Sequence, residues 1–86
     1  MRKREALKKV TVIIVNWNDK DVIIDCIQSL LDQNRNKIDI IISDNGSKDD
    51  SVEFIRKRFP SIKIIENGKN LGFGSAINRG LGLAKG

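Results

Sequence analysis

The chain reads as an α/β domain built on a small parallel sheet, in the order strand, helix, strand, helix, strand, helix. Three observations predict this. Residues 10–16 (VTVIIVN), 38–44 (IDIIISD) and 62–66 (IKIIE) are short β-branched runs, apolar on both parities in the first two, the pattern of parallel strands covered on both faces. The segments between and after them carry helical periodicity. Finally, the 21 residues separating Asn16 from Ile38 leave room for a helical crossover between parallel strands.

The elements follow in order. The first strand ends at Asn16, Trp17 and Asn18. Asn18 or Asp19 is placed to cap the next helix, and Asp19 and Asp21 put negative charge in its positive first turn. Val22, Ile23, Cys26, Ile27, Leu30 and Leu31 then form one apolar stripe, with Asp21, Asp25, Gln28 and Asp32 facing away. On that reading Cys26 is a small buried hydrophobe and not a reactive thiol. The polar residues 33–37 return the chain to the second strand. The second helix, expected over 49–58, turns Val52, Ile55 and Phe59 inward, and Pro60 stops it. After the third strand, Asn67 and Gly68 mark a turn. The last segment, NLGFGSAINRGLGLAKG, spaces Phe73, Ile77, Leu81 and Ala84 helically, yet Gly80 and Gly82 lie inside it and each costs roughly 1 kcal/mol relative to Ala. Close packing on the sheet or close approach to a ligand is the expected compensation.

Composition narrows the function classes. At 40% hydrophobic and 31% charged residues the chain is an ordinary globular one. With 86 residues it is one small domain, burying roughly 60 to 65% of its unfolded surface. The net charge of +5 is not a nucleic-acid signal: residues 1–9 hold five of the 16 basic groups and one of the 11 acids, leaving 11 bases and 10 acids in the other 77 residues. We therefore expect a basic tail over 1–9, a domain over 10–86 and no specific nucleic-acid partner. A single cysteine forms no intrachain disulfide, and the absence of histidine removes the usual general base and a common zinc ligand. The apolar run 10–15 is too short for a transmembrane helix or a signal-peptide core, so the expected location is cytoplasmic, with the cytosolic face of a membrane as the variant.

Asp44 terminates the central strand, Asn45 and Gly46 supply a tight turn, and Ser47 with Asp50 three residues later fits a capping box. In open α/β sheets ligands bind beyond the carboxyl ends of the strands, so a carboxylate held there is a candidate ligand contact. The competing reading, in which Asp44 only closes the turn or the helix start, stays open. Gly72 and Gly74 flank Phe73 at the entry to the last helix, where unpaired N–H groups favour an anion such as a phosphate. Three strand ends, 16–18, 44–47 and 67–74, are thus expected to converge on one mononucleotide-sized crevice.

The combination of VTVIIVNWN, ISDNGSKDDS and NLGFGSAINRGLGLA, in this order and spacing, resembles the N-terminal nucleotide-sugar-binding segment of family 2 glycosyltransferases, inverting enzymes with a GT-A type fold, and among them the rhamnosyltransferase-like group. The resemblance implies half of a Rossmann-like nucleotide-binding domain and a sugar donor linked to UDP or dTDP. It implies that Val15, Asn16 and Trp17 line the base and ribose pocket, that Asp44 accepts a hydrogen bond from the pyrimidine imide, that Asn45, Gly46 and Ser47 shape the adjoining turn, and that Asn70, Gly72 and Gly74 lie along the nucleotide. Asn78 and Gly80 are structural on the same basis. Ile77 stands where many members have an arginine. The resemblance also implies a divalent cation, Mg or Mn, bound by an Asp-x-Asp element, and later a carboxylate base; neither is found before Gly86. Asp49 and Asp50 belong to a helix start and are not promoted to that role. No catalytic or metal-binding residue is therefore expected in this chain, which is read as catalytically incomplete. The alternative is a non-catalytic α/β interaction module that self-associates, as a homodimer or higher assembly, through the exposed first strand. A receiver-like regulatory domain fits less well, since its acidic cluster and later lysine are missing.

Overall fold

The computed structural model describes residues 10–34 and 37–85. Six elements alternate: β1 (Val10–Asn16), α1 (Lys20–Asn34), β2 (Ile38–Asp44), α2 (Ser51–Arg58), β3 (Lys63–Glu66) and α3 (Phe73–Lys85). The strands form one parallel sheet in the order β1-β2-β3, with Asn16 opposite Asp44 and Asp44 opposite Glu66. The three strands therefore finish level, and their polar last residues share one edge. The expected α/β architecture with alternating helices is present. The basic tail lies outside the described residues.

Strand alternation sorts the isoleucines between two faces. Ile40 and Ile42 of β2, with Val12, Ile14, Ile38 and Ile64, pack against Ile23 and Ile27 of α1, Ile55 of α2 and Phe59 just beyond it. Ile41, on the other parity, is also buried, and α3 packs against β1 and β2 on that side. Fully burying an isoleucine is worth about 1.5 to 3 kcal/mol, so β2, covered on both faces, anchors the domain. α1 and α2 share one face and α3 takes the other, the change of side that creates a switch point in doubly wound sheets.

Three expectations about the helices need correction. In α1, Ile23 and Ile27 are buried, but Val22 is 62% exposed and Cys26 is exposed. The apolar stripe is wider than the sheet surface available, so the sheet takes the line through Ile23 and Ile27 and leaves the neighbouring line through Val22 and Cys26 in solvent. In α3, Phe73 is 71% exposed and Leu81 43%, whereas Ala76 and Gly80 are buried. The small residues face the sheet because the helix lies close to it: a Cβ added at Gly80 would sit 2.5 Å from Ile13 Cγ2. That contact explains Gly80, while Gly82 has nothing within 4 Å of such a Cβ. Finally, α2 starts at Ser51 and not at Asp49, and the capping box does not form. Asp50 occupies the cap position without a side-chain cap bond, its carboxylate being paired with Lys20, and Ser47 is engaged elsewhere.

Candidate functional site

The three strand ends converge as expected. The parallel ladder continues past the strands through Asn45 N–H to Asn16 C=O at 2.9 Å and Asn67 N–H to Asp44 C=O at 2.8 Å. This brings three loops side by side at the carboxyl edge of the sheet. Two hydrogen-bonded clusters of short polar side chains occupy that edge.

Asn16 and Asp44, 1% and 2% exposed, lie at the centre of the first cluster. Asn16 Nδ2 donates to Asp44 Oδ1 at 2.8 Å, to Ser51 Oγ at 2.8 Å and more weakly to Ser47 Oγ at 3.2 Å. Ser47 donates its hydroxyl to Asp44 Oδ1 at 2.6 Å and its amide to Asp44 Oδ2 at 2.9 Å. Ser47 is thus spent on Asp44, which is why it does not cap α2. Asp44 does close its own turn, and its carboxyl group lies at the end of the central strand. Around this centre the first two loops cap each other. Asn18, in the left-handed region at φ 51°, accepts from the amides of Lys48 and Asp49 at 2.6 and 3.2 Å. Asp49 in turn accepts from the amide of Lys20 at 3.2 Å, satisfying an orphan donor of α1.

The second cluster ties β2 to the third loop. Asn45, 3% exposed, donates to Asn70 Oδ1 at 3.3 Å and to the Gly72 carbonyl at 3.2 Å. Asn67 donates to Ser43 Oγ at 3.0 Å and Asn45 Oδ1 at 2.9 Å. Asn70 then accepts from the Gly72 amide at 2.8 Å. Gly46, at φ 78°, lies between the clusters, and a Cβ there would come 2.9 Å from Lys69 Cα. Only glycine offers both the left-handed conformation and that backbone contact.

Of the sequence-predicted residues, Asn16, Asp44 and Ser47 meet directly, and Asn45, Asn70 and Gly72 meet in the second cluster. Val15 is half-buried opposite Ser43, Trp17 is 54% exposed, and Gly74 is exposed at the start of α3. Short Asn and Ser side chains bond to one another along this edge. One groove runs from Ser47 and Glu66 of this edge along α2, and another, of about 290 Å³, lies at the other end of β2 beside Ile38 and Phe59. Sequence reasoning missed the roles of Ser51 and Asn67. Asn67 carried one usable signal: like Asn45, it is a polar residue directly after a strand.

Two buried side-chain oxygens, Asn16 Oδ1 and Asn67 Oδ1, have no hydrogen-bond partner among the described residues. Each such group costs about 1 to 3 kcal/mol. At the surface, Asp50 pairs with Lys20 Nζ at 2.9 Å. That hydrogen bond raises the Lys20 pKa and holds the Asp50 carboxyl below the usual range. Partial burial pushes Asp49 up, but hydrogen bonds from the Ser51 hydroxyl and amide and the Lys20 amide outweigh it and hold this carboxyl low too. Asp49 and Asp50 are therefore committed to Lys20 and Ser51 and do not fit a divalent cation. No group of three or more candidate metal ligands occurs among the described residues.

A parallel half-sheet with a change of helix side and a polar carboxyl edge defines the class: an open, Rossmann-like α/β half-domain. The particular family follows from comparison. The model of glycosyl transferase family 2 matches residues 11–86, and the chain belongs to that family. It is 38% identical over 80 residues to an uncharacterized glycosyltransferase of Haemophilus influenzae, covering 90% of this chain and 25% of that protein. It is 38% identical over 81 residues to the UDP-Glc:alpha-D-GlcNAc-diphosphoundecaprenol beta-1,3-glucosyltransferase of Escherichia coli, covering 93% of this chain and 32% of the relative. Over 42 residues it is 36% identical to an N-acetylglucosaminyl-diphospho-decaprenol L-rhamnosyltransferase of Mycobacterium tuberculosis, covering 49% and 14%. The chain thus spans about a quarter to a third of the first two relatives. Among the described residues no helix is long and apolar enough to cross a membrane.

Proposed function

We propose that this chain is the donor-binding part of an inverting glycosyltransferase, holding the nucleotide of a UDP- or dTDP-linked sugar at the carboxyl edge of the sheet. The observation that carries the reading is Asp44, a buried carboxylate at the end of the central strand whose rotamer is held by Asn16 and Ser47. A carboxylate accepts hydrogen bonds only, which suits the imide N–H of uracil or thymine. Trp17, exposed at the end of β1, supplies an aromatic surface beside the base, and Asn70, Gly72 and Gly74 line the side along which the ribose and diphosphate run. The UDP-Glc in one relative's name supports a uridine donor. Among the described residues we assign no general base, and Asp49 and Asp50 do not fit a metal, so this chain is expected to bind donor without transferring sugar.

The test is an NMR titration with UDP, a UDP-sugar and a dTDP-sugar. Shifts clustered at Trp17, Asp44 and Ser47, abolished by Asp44→Ala, are expected; no perturbation at millimolar ligand overturns the reading.

A second reading has its own observation. β1 is an edge strand, with no strand paired to its outer side among the described residues, and such an edge is a template for another chain. Self-association through residues 10–15 is expected to appear as dimer in sedimentation velocity, and a monomer at all concentrations overturns it.

A further inference from the structure

Asp44 has four lone-pair sites, two on each oxygen. Oδ1 accepts from Asn16 Nδ2 and from the Ser47 hydroxyl, so both of its sites are filled. Oδ2 accepts only from the Ser47 amide, which leaves one. The hydroxyl protons of Ser47 and Ser51 are committed to Asp44 and Asp49. Both hydroxyl oxygens therefore face Asn16 as acceptors, and the NH2 end of its amide is the only end that can point at them. Turned over, the Asn16 carbonyl would oppose a carboxylate and two oxygens whose protons are already given away. The cost of the observed orientation is the buried, unpartnered Asn16 Oδ1. The donors this orientation aims at Asp44 and Ser51 offset that cost.

We propose that Asn16 is a positioning residue that sets base specificity. With Ser47 it fills Asp44 Oδ1 and leaves a single acceptor on Oδ2, matched to one N–H donor such as the imide of uracil or thymine. The inference rests on the donor-binding reading above. Cytosine presents a lone pair at the ring position where uracil has its imide proton, and that lone pair faces the remaining acceptor and is rejected. Without the Asn16 donors, Oδ1 regains a free site and the carboxylate can turn. It then accepts from the exocyclic amine of cytosine as readily as from an imide, so discrimination falls.

The experiment measures dissociation constants for UDP and CDP with the wild-type chain, Asn16→Ala and Asn16→Leu, with thermal unfolding of each ligand-free protein alongside. Leucine keeps the branched shape of asparagine, though it is bulkier, and removes both the donors and the orphan carbonyl, so the two variants differ in stability but not in what they take from Asp44. A wild-type preference for UDP of about tenfold or more, the worth of one buried hydrogen bond, is expected. In both variants that ratio should drop to about threefold or less. If both nucleotides weaken by the same factor and the ratio persists, Asn16 is merely structural and the inference is overturned. If the wild-type chain binds neither nucleotide, the donor-binding reading itself fails and this inference falls with it.

Discussion

The entries to α1 and α2 cap each other, whereas the entry to α3 is closed by its own residues. Lys20 N–H reaches Asp49 and the amides of Lys48 and Asp49 reach Asn18, so neither of the first two loops is satisfied without the other. Asn70, by contrast, binds the amide of Gly72 two residues on. The first two loops therefore behave as one polar body, and the third is a separate unit attached to it through Asn45, Asn67 and the close contact at Gly46. Placement of Asp44 comes from the interlocked pair.

The contrast can be broken most severely at Gly46, the joint between the two units. Gly46→Ala should destabilise by about 2 to 4 kcal/mol, combining a left-handed conformation with a clash against backbone, as read by chemical denaturation. Next in size is the interlock. Asn18→Ala should cost about 2 kcal/mol, through two lost acceptor bonds and the strain of φ 51°, while Asn18→Gly should cost about half as much because it relieves the strain. Equal losses for the two variants would show that the side-chain bonds alone matter. A third test leaves the loops and compares two glycines within α3. Gly80→Ala should destabilise by about 1 to 2 kcal/mol because of Ile13, whereas Gly82→Ala should stabilise by up to about 1 kcal/mol through helix propensity.

The smallest effect is electrostatic. Asp49 and Asp50 have folded pKa values below the ordinary 3.8, so their contribution is present above that value and is lost as pH falls through the lowered ones. Lys20, raised above 10.5, contributes below that pH and loses its share as pH rises through the raised value. Both groups of charges are exposed and screened. The melting temperature should therefore dip only slightly on acidification over about pH 5 to 2 from this source, and less so in Lys20→Ala.

Much of the site was legible in local sequence. Asp44, Asn45, Gly46 and Ser47 are consecutive, so a strand end and a turn place them without reference to anything distant. Asn16 was legible as a strand end but not as the hub of the cluster, because its partners Asp44 and Ser51 lie 28 and 35 residues away. The capping box failed because Ser47 and Asp50, though correctly spaced, are taken by competitors: Ser47 by its near neighbour Asp44, and Asp50 by Lys20, 30 residues away.

By itself the sequence determined the alternation of strands and helices, the polar strand ends and the glycine turn, since each depends on periodicity or backbone conformation over a few residues. Only the tertiary structure decided which lines of α1 and α3 are buried, and so left Cys26 and Phe73 in solvent while Gly80 was buried against the sheet. It alone also decided that two loops would share their caps. Those outcomes depend on how much sheet surface is available and which neighbour reaches a donor first, and both are properties of the packed elements taken together.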